Sequence, residues 1–269
     1  MSSTVLLLGR VSQRVGLRLK ASVLAVQEYF LLCAAGVRAL ATRPRYAHDI
    51  VTQMDGLGVG SLPIVILTGM FTGMVVALQS SATLDVFGAR AYVGRLVCLS
   101  MVRELGPVLT ALMVTGRVGS GMAAEIGSMV VTQQVDALRV LGTDPVRKLV
   151  APRIAAAVIM VPMLTVISNA LGLFGAGILS VFSLKLQWQY YWRSVFGALG
   201  MNDVFMGLSK PVVFGFILAS VGCFMGLRTR GGTQGVGVST TQSVVVASIL
   251  ILATDFFMTK LLLLIFPVT

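Results

Sequence analysis

Long apolar runs separated by short polar intervals set the character of this chain. Five of them, Ser61–Leu84, Leu96–Met122, Ile154–Val181, Val204–Leu227 and Val244–Phe266, reach the roughly 20 residues a helix needs to cross a bilayer. They are too long and too often interrupted by glycine for barrel strands, so the pattern predicts an all-α integral membrane protein.

The N-terminal part has a different pattern. Leu8, Val11, Val15, Leu19, Val23, Val26 and Phe30 follow the 3–4 residue spacing of one helix face, and Arg10, Arg14 and Arg18 form a basic stripe on another. Such a helix is expected to lie in the membrane interface. Val23–Leu40 is nearly long enough to span, and charge counting decides between the two placements. With an interfacial helix the inner segments carry thirteen Lys or Arg and the outer loops four. Moving Arg10, Arg14, Arg18 and Lys20 outside makes it nine to eight. The positive-inside bias favours the first arrangement. The expected fold is an interfacial elbow helix plus five spans, divided at 1–55 and 56–269, with the N-terminus inside and the C-terminus outside. A cleaved signal is not expected, because the apolar stretch is long, contains Glu28 and lacks a small-residue cleavage site.

Composition supports the membrane reading. Hydrophobic residues make up 56% of the 269 and charged residues only 12%, against about a quarter charged in soluble domains. The net charge of +11 comes from residues flanking apolar runs, where Lys and Arg set topology, so nucleic acid is not expected. Cys33, Cys98 and Cys223 lie in apolar runs and there is a single His, so neither a disulfide framework nor a metal site is expected.

Ionisable residues within spans suggest function. Arg103 and Glu104, Lys210, and Asp255 sit on three spans. At 1.5 Å per residue, Glu104, Lys210 and Asp255 lie about 10–17 Å below the outer end. Paired, the four residues are neutral. Pro107 and Pro211 follow two of the charges and can loosen their helices. Three accounts remain open: a structural ion-pair network, a polar layer in a substrate cavity, and proton or ion coupling. The small-xxx-small pairs Gly69/Gly73 and Gly222/Gly226, with Gly116, Gly119, Gly121 and Gly127, fit close packing within one subunit or at a subunit interface.

The interval Val131–Arg153 is polar but patterned. Val131, Val135, Leu138 and Leu141 share a helical stripe, with Gln133, Gln134, Asp136 and Arg139 elsewhere. Gly142 supplies a helix stop, and Asp144–Pro145 a cap and first position for the next helix. The interval therefore predicts a short amphipathic helix between the second and third spans, either resting on the membrane or held by another protein.

Two stretches carry a family resemblance. "RELGPVLTALMVTGRVGSGMAAEIGSMVVTQQVDALRVLGTDPVRKLVAPR" is similar to the central signature of the MlaE (YrbE) family, permease subunits of ABC-type lipid transporters. "GGTQGVGVSTTQSVVVASILILATDFFMTKLL" resembles that family's last loop and span. The resemblance runs from about Gly58 to the C-terminus. It implies a homodimer in the bacterial inner membrane whose cavity holds phospholipid. It also implies a cytoplasmic ATPase gripping the helix of Gln133, Gln134, Asp136, Ala137, Leu138 and Arg139, and a periplasmic MCE-domain lipid carrier, with room for a small STAS-type accessory protein. Arg103, Glu104, Lys210 and Asp255 match charged positions of the family's membrane region, and Val76, Leu84 and Phe87 match positions near lipid tails. Family members often carry Glu where this chain has Gln133, so the grip on the ATPase would differ here. None of the five lysines follows a glycine, so no phosphate loop is present. ATP and Mg would bind the partner, and this chain is not expected to be an enzyme or to hold a cofactor. The competing class is an ion-coupled secondary carrier of a lipid or other amphipathic substrate, which would favour inverted repeats that five unequal spans do not display.

Overall fold

The computed structural model describes Lys20, residues 23–40 and residues 46–266. Most of the N-terminal stripe, from Leu8 to Leu19, and the Arg10, Arg14 and Arg18 face lie outside the described residues. Within them the chain is α-helical: α1 Val23–Leu40, α2 Ala47–Val86, α3 Arg90–Val131, α4 Gln134–Val140, α5 Val146–Phe182, α6 Trp188–Ala198, α7 Met201–Leu227 and α8 Gly232–Ile265. Six of these, all but α4 and α6, are long and apolar enough to cross a membrane. The five expected spans fall on α2, α3, α5, α7 and α8, the last overrunning α8 by one residue at Phe266.

The sixth long helix, α1, stays near one end of the bundle. Glu28 pairs with Arg228, just past α7, at 3.4 Å. Tyr29 and Ser220 hydroxyls are 2.8 Å apart, and a Cβ on Gly36 would lie 3.0 Å from Ile154 Cδ1 near the start of α5. Eight residues of helix rise about 12 Å, yet both contacts fall close to the α4 end of the bundle. Tyr29, Cys33 and Gly36 pack on the bundle, while Val23, Val26 and Phe30 of the apolar stripe stay largely exposed.

Glycine contacts explain the packing of the spans. A Cβ on Gly69 would lie 2.7 Å from the Ser168 carbonyl oxygen, and one on Gly73 would collide with the Gly172 backbone. These two positions let α2 and α5 touch backbone to backbone. Gly222 and Gly226 face α3, against the carbonyls of Gly119 and Ala123 at 3.1 Å each. Both pairs therefore serve packing within the chain. Gly116 and Gly121 are exposed, with nothing within 4 Å of an added Cβ.

Two apolar cores result. One holds Val65, Ala111, Val114, Leu164, Phe214 and Ile251. The other, at the far end, holds Ala77, Val93, Val97, Met101, Ala176 and Tyr191. Tyr191 donates to the Leu173 carbonyl at 2.9 Å, and burial pushes its phenol well above the usual range.

π-helical turns interrupt the long helices at Met101–Leu105, Thr115–Gly119 and Val146–Val150. Gly106 N–H bonds the carbonyl five residues back at Met101, and Ala151 does the same with Val146. Each lies directly before a proline, Pro107 or Pro152, so the wider turn accommodates the missing donor. Pro211, by contrast, sits inside an unbroken α7.

Candidate functional site

Between the two cores lies a charged layer. On α3 the far-end core reaches Val102 and the other begins at Ala111, and on α7 Lys210 precedes Phe214 by one turn. The Lys210 side chain is 1% exposed. Its Nζ donates to Glu104 Oε2 at 2.5 Å and to Thr259 Oγ1 at 2.7 Å, and stands 3.1 Å from Asp255 Oδ1. The Asp255 contact is Coulombic, because that oxygen makes no hydrogen bond of good geometry. Thr259 lies one turn beyond Asp255 on α8 and its hydroxyl is 3.2 Å from Glu104 Oε2. The arrangement joins α3, α7 and α8, and it is open on one side, with Glu104 41% and Asp255 20% exposed.

Arg103 does not balance this group. Successive helix residues point about 100° apart, so Arg103 faces away from Glu104 and binds Asp203. Its Nε is 2.7 Å and its Nη2 2.5 Å from Asp203 Oδ1. Asp203 Oδ2 also accepts the Gly200 N–H at 2.9 Å, capping α7. The expected neutral group of four is therefore two separate sets: a capped Arg103–Asp203 pair, and Lys210 facing two carboxylates. Sequence reasoning missed Asp203 and Thr259. Their signals were an acid three residues after Gly200 at a span's start, and a hydroxyl one turn from Asp255.

The residues compared with lipid-tail positions spread along the far end of α2. Val76 and Leu84 are half-buried against the far-end core, whereas Phe87 is exposed just past the helix. One turn before Val76, between α2 and α3, Leu67, Phe71, Leu109 and Met113 line an apolar recess of about 300 Å³.

At the other end α4 stands out from the bundle. It begins at Gln134 rather than continuing from Val131, because Gln133 takes a left-handed conformation, φ 59°. Val135 is buried and Leu138 half-buried, while Gln134, Asp136, Ala137 and Arg139 are exposed. Val140 and Leu141 are 88% and 78% exposed, so Leu141 leaves the expected stripe. Asp136 and Arg139 pair at 2.8 Å within the helix. The stop and restart follow the sequence. Gly142 has φ 76°, Thr143 N–H bonds the Leu138 carbonyl at 2.9 Å, and Asp144 Oδ1 accepts the Val146 N–H at 2.9 Å. Two further sequence-missed contacts brace this end. Buried Arg153 reaches Glu125 at 2.7 Å, and Arg117 donates to Ser61 Oγ at 2.9 Å.

Among the described residues, no group of three or more His, Cys, Asp or Glu is placed to hold a metal ion. All three cysteines are free and buried.

A helical bundle with six helices long and apolar enough to span, and a charged layer between two apolar cores, is that of a multi-pass integral membrane protein. The family model described as Permease MlaE matches residues 50–261, and the chain belongs to that family. It is 41% identical over 251 residues to a probable ABC transporter permease protein of Rickettsia felis, covering 93% of this chain and 97% of that one. A Synechocystis probable ABC transporter permease protein is 42% identical over 80% of this chain and 82% of its own. The intermembrane phospholipid transport system permease protein MlaE of Haemophilus influenzae is 37% identical over 79% of this chain and 82% of its own.

Proposed function

We propose that the chain is the permease subunit of an ATP-driven phospholipid transporter, moving lipid between the inner membrane and a periplasmic MCE-type carrier. The observation that carries the reading is the Lys210–Glu104–Asp255 layer, set between apolar cores and open on one side. Isolated charge at this depth is costly, and a side open to a cavity lets the same groups meet a polar headgroup while apolar surfaces hold the acyl chains. A second copy would close that open side, and exposed Gly116 and Gly121 leave room for close approach.

α4 is the element a cytoplasmic ATPase would grip. Exposed Val140 and Leu141 beside the Asp136–Arg139 pair offer an apolar contact with a polar rim. ATP binding on that partner would then open and close the dimer around the lipid. Val76, Leu84 and Phe87, with the Leu67–Met113 recess, are the apolar positions for the tails. This orientation puts α4 and the inner basic residues in the cytoplasm and Phe266 at the periplasmic end.

The test is reconstitution of the chain with its ATPase and carrier in proteoliposomes, with mass spectrometry of the lipid retained on purification. Phospholipid is expected in the purified complex, and its transfer is expected to need ATP and to fall in Glu104→Gln. Transfer by the chain alone, following a proton or sodium gradient, would replace this reading with the ion-coupled carrier.

A further inference from the structure

The far end of the bundle carries a basic feature, separate from the Lys210 layer. α3 and α6 meet here because position 94 is glycine. A Cβ there would lie 3.0 Å from the Tyr191 carbonyl oxygen and 3.2 Å from Ser194 Cβ. The approach brings Arg95 of α3 beside Arg193 and Ser194 of α6 around a cavity of about 280 Å³, which Tyr92 and Tyr190 also line. Arg95 is shared with a neighbouring cavity of about 520 Å³, whose wall includes Arg103 and Asn202.

Charge pairing distinguishes these two arginines from their neighbours. Arg103 is neutralised by Asp203 and Arg90 by Asp85. Among the described residues, Arg95 and Arg193 have no carboxylate within ion-pair distance. Two like charges facing one recess repel, and an anion between them removes that repulsion. The guanidinium fork matches a phosphate in geometry and keeps its charge at any working pH. Tyr and Trp collect at the headgroup level of a bilayer, and Tyr92 and Tyr190 line this site. A recess between two helices suits a small anionic group better than a flat protein face.

We propose that Arg95 and Arg193 form a phosphate-binding site, taking the phosphate of a phospholipid headgroup or free phosphate at the far end of the bundle. As a lipid site it rests on the phospholipid reading above and adds a station away from the charged layer. As a phosphate site it stands on its own geometry.

Both tryptophans of the chain, Trp188 and Trp192, lie on α6, the helix that carries Arg193, so intrinsic fluorescence reports on changes in that helix when the site fills. The full chain in an uncharged detergent is titrated with dihexanoyl-phosphatidylglycerol, dihexanoylglycerol and inorganic phosphate. A saturable emission change is expected with the phospholipid and none with dihexanoylglycerol. A response to the phospholipid alone assigns a headgroup, and one to inorganic phosphate as well assigns the phosphate group itself; either supports the site. The double variant Arg95→Gln/Arg193→Gln is expected to weaken binding by about tenfold or more, since two charge-assisted contacts are lost. Both side chains are exposed, so its thermal unfolding should match wild type; if it does not, the two single variants carry the test, each weakening binding about threefold. Wild-type affinity in those variants, or an equal response to dihexanoylglycerol, overturns the proposal. So does a response to oligoglutamate with none to the phosphate compounds, which would assign the surface to an acidic protein. Failure of the transport reading appears elsewhere, as a complex that retains no phospholipid and transfers none with ATP, and it leaves the inorganic-phosphate titration standing.

Discussion

Lys210 Nζ meets Glu104 Oε2 at 2.5 Å across 106 residues of sequence, with Asp255 Oδ1 at 3.1 Å from the same nitrogen. One ammonium thus faces two carboxylates, and the three positions are not equivalent. Lys210→Met would leave both acids without a cation in the membrane interior, while Glu104→Gln would leave a one-to-one Lys210–Asp255 pair.

The expected outcome is an asymmetry in stability. Lys210→Met should cost about 3–5 kcal/mol, as removal of one partner from a buried pair does. Glu104 is partly exposed, so Glu104→Gln should cost less than about 1 kcal/mol. Thermal unfolding of both variants in detergent checks this. Equal losses would mean that Asp255 does not share the ammonium. Lipid transfer should fall in both, which separates the function of the layer from its contribution to folding.

The Arg103–Asp203 pair should behave as a unit with the start of α7. Asp203→Ala removes a salt bridge and the cap on the Gly200 amide together, for about 2–4 kcal/mol. Arg103→Gln leaves the cap and should cost less. In a double-mutant cycle by denaturant unfolding, the coupling should be about 1–3 kcal/mol. Additive losses would show that the two side chains do not interact in solution.

How much of this was written in the sequence depends on which coordinate is asked for. Hydropathy and helix rise give depth along the membrane normal, and depth sufficed to group Glu104, Lys210 and Asp255. Rotation about each helix is harder to read when a span is apolar on all sides. That is why Arg103 was grouped with Glu104, Lys210 and Asp255 although its side chain turns to Asp203, and why Asp203 and Thr259 went unnoticed. Local chemistry was legible where backbone constraints are strong: Gly142 ends α4, and Asp144–Pro145 starts α5. The break at Gln133 was not, because a left-handed glutamine has no distinctive sequence signal. On α1 the three stripe residues that are described, Val23, Val26 and Phe30, are exposed, while Tyr29, Cys33 and Gly36, outside the stripe, pack on the bundle.

The exposed tip of α4 separates docking from folding. Leu141 is 78% exposed, so Leu141→Asp should alter unfolding by no more than about 0.5 kcal/mol. Co-purification with the ATPase should nevertheless be lost, since a charge would enter the centre of the contact. Leu138→Asp is a poorer probe because Leu138 is half-buried and its loss disturbs α4 itself. Normal co-purification of Leu141→Asp would remove α4's apolar tip from the docking surface.

The glycines divide by what their missing side chains would meet, and this gives the sharpest packing test. At Gly73 a Cβ would run into the Gly172 backbone, which cannot rotate away as a side chain can. Gly73→Ala must therefore push α2 from α5, at about 2–4 kcal/mol for overpacking in a tight contact. At Gly116 nothing lies within 4 Å of an added Cβ. There Ala replaces the most flexible residue in a helix and should stabilise the single chain by about 0.5–1 kcal/mol. Thermal unfolding of the two variants should move in opposite directions. If Gly73→Ala unfolds like wild type, α2 and α5 do not touch backbone to backbone. If Gly116→Ala is strongly destabilised at high protein concentration but not on dilution, that open face is covered by a second copy.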